Sequence, residues 1–300
     1  MEIKIHEVGL RDGLQMESKI VPTEIKFEWI KKLAFSGIDF LQIGSFVNPK
    51  RMPQMADTDE LFRLINNDTE LKSKMVFSGL VLNDKGFDRA VDCNVDLICM
   101  GVSASETHSM KNTGMSTDSA LGEILKLCKT ALKTGLKIQA SVQSAFGCGF
   151  EGKIDEEKVF EIVKKYIDNG VFNISLADTA GYANPEQVKR MFDKILDYNS
   201  DLNLTCHFHN TFGLGLVNCY AAMKSGVKVF ETAFGGLGGC PFTKLAAGNV
   251  CTEDFVHFLN QIEIRKDIKI DNIIELTRTS SSFLEKELPG FVYKSGKIKK

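Results

Sequence analysis

The chain has no run approaching the roughly 18 to 20 apolar residues that a membrane-spanning helix needs, so no transmembrane segment is expected. It has no excess of one charge either. Lys and Arg number 37 against 39 Asp and Glu, a net charge of −2, so neither a nucleic acid nor an anionic membrane surface is expected as a partner. Its opening residues, Met1-Glu2-Ile3-Lys4-Ile5-His6, lack the cationic-then-apolar layout of a secretory signal and read as a strand instead. The 8 cysteines include no Cys-x-x-Cys pair for zinc or dithiol chemistry. They fit a reducing compartment, and a cytoplasmic location is expected. No G-x-G-x-x-G follows the first strand-like run, which argues against an open dinucleotide-binding sheet. Linkers and low-complexity stretches are missing as well, which leaves one domain.

What is there is a strict alternation. Short β-branched runs occur at residues 3–8, 38–43, 75–81, 95–100, 136–142, 172–177, 202–208 and 227–232. Helix-like stretches separate them, one opening at Thr23 and others over 85–92, 117–133, 155–169, 185–196 and 215–225. Several end on a glycine or asparagine helix stop, as at Ser36-Gly37, Thr134-Gly135, Asn169-Gly170 and Ser225-Gly226. Eight strand–helix units imply parallel strands joined by right-handed crossovers. Their number and spacing, over about 250 residues, are those of an α/β TIM (β/α)8 barrel. The whole of residues 1–300 is expected to form this one domain, with roughly 252–300 adding C-terminal helices on its outside.

In such a barrel the chemistry sits at the carboxyl ends of the strands and in the loops that follow. The seventh strand closes on His207-Phe208-His209, a spacing that turns both imidazoles to one face. By itself that spacing suits a pair of hydrogen-bonded core histidines equally well. Barrel closure sets the first strand beside the eighth and one strand away from the seventh. Asp12 then comes within reach of both histidines, and Asn249 offers an amide oxygen as a fourth ligand. A carboxylate, two imidazoles and an amide, with no thiolate, suit Mg²⁺ or Mn²⁺ with positions left for a chelating substrate. The set overlaps the two-His-one-carboxylate site of Fe(II) oxygenases, which ranks lower here because those enzymes use another fold. Arg11 has two readings: a salt bridge to Glu7 or Asp178, or a guanidinium that stabilises an enolate oxyanion. The loop Gly235-Gly236-Leu237-Gly238-Gly239-Cys240-Pro241 reads as a glycine-hinged lid with a thiol at its tip, though buried thiols are often plain filler. Glu253 is either a helix-start acid or part of the site.

These segments together resemble the 3-hydroxy-3-methylglutaryl-CoA lyase family, within the barrel-fold metal-dependent lyases and Claisen-type synthases. The likeness rests on Glu7-Val8-Gly9-Leu10-Arg11-Asp12-Gly13-Leu14-Gln15, on Ser45-Phe46-Val47-Asn48-Pro49-Lys50, on His207-Phe208-His209-Asn210-Thr211-Phe212-Gly213, and on Gly236-Leu237-Gly238-Gly239-Cys240-Pro241-Phe242 with Gly248-Asn249. The resemblance implies a divalent cation held by Asp12, His207, His209 and Asn249, with His207 also in the catalytic set. It implies Arg11 as enolate stabiliser, Cys240 as a catalytic thiol, and supporting roles for Asp178 and Glu253. The reaction implied is a retro-Claisen cleavage that yields acetyl-CoA and a ketone or oxo acid. An acyl-CoA or hydroxy acid would be the substrate, and a homodimer is expected. Gln15, Gln42, Ser45, Ser141 and Gln143, with Gly238 and Gly239, would face that substrate.

The chain departs from the family pattern where a substrate would touch. Gln42 stands in place of a usual Glu, Ser141-Val142-Gln143 in place of Tyr-Val-Ser, and Asn210 in place of Asp. A related 3-hydroxyacyl-CoA therefore stays open beside the family's own substrate. So do a synthase running the condensing direction from acetyl-CoA and a 2-oxo acid, and a metal-bearing scaffold with altered or lost activity.

Overall fold

The computed structural model describes residues 2–239 and 248–298. Within them eight parallel strands close into a barrel in the order β1 to β8. In chain order the elements are β1 (Lys4–Glu7), α1 (Thr23–Ala34), β2 (Phe40–Ser45), α2 (Thr58–Asn67), α3 (Thr69–Lys72), β3 (Val76–Leu80), α4 (Asp84–Asp92) and β4 (Leu97–Ser103). Then come α5 (Glu106–Thr113), α6 (Thr117–Lys133), β5 (Ile138–Gln143), α7 (Glu156–Asp168), β6 (Asn173–Asp178), α8 (Pro185–Tyr198), β7 (Asn203–Phe208), α9 (Gly215–Lys224) and β8 (Val229–Thr232). The chain closes with α10 (Thr252–Gln261), α11 (Ile270–Leu284) and α12 (Val292–Ser295). Closure comes from β1 pairing with β8, Ile5 opposite Phe230 and Glu7 opposite Thr232. The expected barrel is the one observed.

Strand alternation divides the side chains into two sets. Those turned outward are apolar (Leu41, Ile43, Phe77, Val142, Leu176, Phe208) and fully buried under the helices. Phe208 meets Phe146 at 5.5 Å between ring centroids, and Phe230 meets Phe255 of α10 at 4.9 Å. Those turned inward are largely polar: His6, Gln42, Ser78, Gln139, Thr205, His207 and Glu231, all buried. The hydrophobic core thus lies between sheet and helices, and the barrel interior is left for polar chemistry.

Several element bounds differ from the sequence reading. The strands β4, β5 and β6 run on to Ser103, Gln143 and Asp178, because ladder hydrogen bonds continue past the last β-branched residue while the side chains turn polar at the barrel mouth. The helices α2 and α5, which the alternation did not single out, follow β2 and β4. Helix α2 buries Leu61, Phe62 and Ile65, and α5 lies across the mouth with His108 turned in. Among the described residues no helix is long and apolar enough to cross a membrane.

Candidate metal and active site

The site is assembled by three loops at one end of the barrel. After β1 the chain turns through Gly9–Gly13, where the backbone N–H groups of Arg11, Asp12 and Gly13 all converge on the Val8 carbonyl. That turn swings the Asp12 side chain over the mouth. His207 lies one residue before the end of β7, and His209, just beyond the strand, forms an isolated antiparallel bridge with Asn249. Residues from three distant stretches of chain thereby meet. Asp12, His207 and His209 are buried, and one ligating atom of each falls within 4.8 Å of the others. His207 Nε2 and His209 Nε2 stand 3.1 Å apart, and lie 3.9 and 3.7 Å from Asp12 Oδ2. Ligands at about 2.1 Å around one cation stand roughly 3 Å from one another, so the spacing suits a shared ion. Asn249 completes the group, its Nδ2 donating to Asp12 Oδ2 at 2.8 Å, while its Oδ1 is buried without a hydrogen-bond partner among the described residues. A spare, desolvated amide oxygen beside a carboxylate and two imidazoles is a donor set that a divalent cation satisfies.

At Asp12 and His209 the electrostatics suit a cation too. Burial alone would raise the Asp12 carboxyl, but the neighbouring Arg11 charge and the nearby His209 and His207 imidazoles hold it well below the usual range. Burial lowers His209. It would lower His207 as well, but the hydrogen bond to Glu231 and the Asp12 charge outweigh burial and raise it.

Arg11 lies at the edge of this cluster. Its Nη1 donates to Asp12 Oδ1 at 2.6 Å, and its Nε donates to Gln42 Oε1. The salt bridge to Glu7 or Asp178 read from the sequence is not formed. Both acids have turned away: Glu7 accepts from the Gly9 and Phe234 amides and from Thr252 Oγ1, and Asp178 accepts from the Tyr182 and Ala183 amides. A cavity of about 270 Å³ opens over the cluster. Arg11, Asp12, Gln15, Gln42, Ser45, Ser141, Gln143, His207, His209 and Gly239 all line it.

The loop after β8 passes close beside the ligands. Gly238 has φ +109°, and a Cβ there would come within 2.6 Å of Asn249 Nδ2 and 3.5 Å of Asp12 Oδ2. Only glycine fits that approach.

The comparisons with known proteins agree with this arrangement. A family model described as HMGL-like matches residues 2–279. The chain belongs to the HMGL-like family. It is 33% identical over 288 residues to the hydroxymethylglutaryl-CoA lyase YngG of Bacillus subtilis, covering 96% of this chain and 95% of that one. It is 34% identical over 302 residues to the (R)-citramalyl-CoA lyase of Chloroflexus aurantiacus, covering 99% and 95%. Among solved structures, an HMG-CoA lyase from Acinetobacter baumannii in complex with coenzyme A and 3-methylmalate superposes with a TM-score of 0.92 at 40% identity, covering 99% and 95%. The protein is a carbon–carbon lyase of this HMGL-like type, with a site for a divalent cation.

Within the HMGL-like barrel the residues singled out from the sequence fall into three groups. Ten line the cavity, as given above. Asn249 and Gly238 lie just behind it against Asp12. Asp178 and Glu253 do not line it. Asp178 is fully buried, raised by burial to about 6, and holds the turn after β6. Glu253 is raised by burial to about 7 and accepts from the Gly235 amide at 3.0 Å, with Oε1 unpartnered among the described residues. Cys240 lies outside the described residues. Sequence reasoning missed Glu231 and His6, which stand directly under His207 on the inner face. The signal was present: an acid and a histidine each sit among apolar residues, in Val229-Phe230-Glu231-Thr232 and Ile5-His6. It had no meaning until barrel closure set the two strands together.

Proposed function

We propose that this protein cleaves a 3-hydroxyacyl-CoA of the 3-hydroxy-3-methylglutaryl-CoA type into acetyl-CoA and a ketone or oxo acid, with Mg²⁺ or Mn²⁺ as its cation. The observation that carries the reading is the Asp12, His207, His209 and Asn249 donor set opening on a cavity with Arg11 at its edge. Those four residues would hold the cation, which when bound supplies Lewis-acid polarisation of the substrate's carbonyl and hydroxyl oxygens. In the reaction the tertiary hydroxyl gives up its proton to a base and the bond between C2 and C3 breaks. The ketone leaves, and the acetyl-CoA enolate takes a proton at carbon.

Arg11 is the donor to the enolate oxygen as charge develops there, its fork already braced by Gln42 and Asp12. His207 keeps its place in the catalytic set through its position at the cation. Cys240 is assigned the proton transfer. Asp178 and Glu253 act at one remove, by holding the turn after β6 and the glycine turn at Gly235. Gln15, Gln42, Ser45, Ser141 and Gln143, with Gly238 and Gly239, shape the acyl subsite. The (R)-citramalyl-CoA lyase among the relatives supports leaving the acyl portion open within this class.

A homodimer and a cytoplasmic location belong to the same proposal. The seven described cysteines are free thiols, as a reducing compartment keeps them. Exposed Phe212, Leu214, Val217 and Tyr220 give α9 and the turn before it an apolar outer face that suits a subunit contact. The deciding experiment incubates the purified protein with Mn²⁺ or Mg²⁺ and a panel of 3-hydroxyacyl-CoA thioesters, and measures acetyl-CoA. Release from at least one member is expected, and none from any would overturn the proposal.

A further inference from the structure

We infer that Glu231 is a positioning residue for the cation site, fixing which nitrogen of His207 carries its proton, with His6 packed on the far side of Glu231. This rests on the divalent-cation reading of the cluster. The three residues form a row across the closure seam, with Glu231 opposite His207 on one side and opposite His6 on the other. All are buried.

Glu231 Oε2 stands 3.0 Å from His207 Nδ1. A carboxylate can only accept there, so the His207 proton belongs on Nδ1, and the Nε2 lone pair faces Asp12 and His209. A cation ligand needs that tautomer. Among the described residues His209 has no comparable partner, since its Nδ1 is buried without a hydrogen bond to any of them. Of the two imidazoles, only His207 is therefore set by the protein beforehand.

The other carboxylate oxygen faces His6 without a hydrogen bond, His6 Nδ1 being buried with no partner among the described residues. Glu231 Oε1 lies 3.7 Å from His6 Nδ1. On its far side, His6 Nε2 is 2.7 Å from Ser78 Oγ, whose alternative partner, the Leu41 carbonyl, is more distant at 3.3 Å. The shorter contact assigns the serine proton to His6 Nε2, which leaves the Nδ1–H of His6 directed at Glu231. Burial pushes His6 down to about 4, so this neighbour leaves the carboxylate's charge uncancelled. The row Ser78, His6, Glu231, His207 thus runs through β3, β1, β8 and β7 to the cation.

The test uses the full-length protein stripped of metal, with two readouts. One is Mn²⁺ affinity by titration calorimetry. The other is the tautomer of His207 in ¹⁵N-histidine spectra at alkaline pH, its signals assigned by their loss in His207→Gln. Glu231→Ala is expected to weaken Mn²⁺ binding by about 10- to 100-fold and to let the proton move to Nε2. Isosteric Glu231→Gln, whose amide oxygen still accepts from Nδ1, is expected to keep the tautomer and weaken Mn²⁺ severalfold through lost charge. Thr205→Val, on the same strand as His207, breaks the buried bond from Gln139 of β5, so it is expected to lower the melting temperature and change neither readout. Parental affinity and tautomer in Glu231→Ala would overturn the inference, as would a proton moved to Nε2 in Glu231→Gln or an equal Mn²⁺ loss in Thr205→Val. A parent that bound no Mn²⁺ would strike the cation reading itself, while the metal-free spectra would still judge Glu231.

Discussion

At the scale of single residues, each polar group at the mouth has a separable duty. His209 offers Nε2 to the shared point and is otherwise buried, with no partner for its Nδ1 among the described residues. His209→Ala should therefore lose Mn²⁺ binding along with turnover, which calorimetry and an acetyl-CoA assay check together. Arg11 is different, because it sits beside the cluster and braces Asp12 without offering a lone pair. Arg11→Lys keeps the charge but loses the fork that engages Gln42 and Asp12 at once. A fall in kcat of about 10²- to 10³-fold, with Mn²⁺ affinity held within severalfold, is the expected outcome. Cys240→Ser should keep metal and slow the reaction; an unchanged rate would remove the thiol from the mechanism.

At the scale of elements, the loop after β8 matters most, since it passes its backbone between two ligands. Gly238→Ala would have to displace Asn249 or distort a left-handed backbone position. Mn²⁺ affinity is expected to drop by on the order of tenfold in that variant, with an unchanged far-ultraviolet spectrum, as one ligand of four is moved. Legibility also varied by element. Helix α6 was read at its observed bounds of Thr117–Lys133, because its apolar period and the following Thr134-Gly135 stop are local signals. The ends of β4, β5 and β6 were read short, because what keeps Ser103, Gln143 and Asp178 in the sheet is pairing with the neighbouring strand. Helix α2 was passed over although its buried face is apolar, since the alternation was counted in strands.

For the whole molecule, the buried acids outside the site set how stability depends on pH. Burial raises Glu7 to about 8 against the opposing hydrogen bonds from Thr252, Gly9 and Phe234. A carboxyl whose folded value lies above its unfolded value, here 4.5, keeps a proton that the unfolded chain has released. Stability therefore falls as pH rises from about 4.5 to about 8, by on the order of a few kcal/mol from this one group. Glu7→Gln keeps both acceptor contacts of Oε1 and offers N–H to Thr252, so its melting temperature should fall less over that window than the parent's. Equal slopes would show that Glu7 ionises freely in the native state. The outer face of α9 gives a second test at this scale: Val217→Lys should convert a dimer to a monomer in light scattering and leave the melting transition cooperative.

The repeat of strand and helix, the helix stops and the placing of polar residues at strand ends are local properties. They follow from side-chain period and glycine geometry, so the order of residues alone determined the barrel and nominated Asp12, His207, His209 and Asn249. What only the tertiary structure decided is which partners those groups have. Arg11 pairs with Asp12 and Gln42 and leaves Glu7 to the backbone, Asp178 closes a turn, and Glu231 stands under His207 with His6 beside it. Such choices depend on strand register and barrel closure. They bring together residues more than two hundred positions apart, beyond the reach of any local pattern.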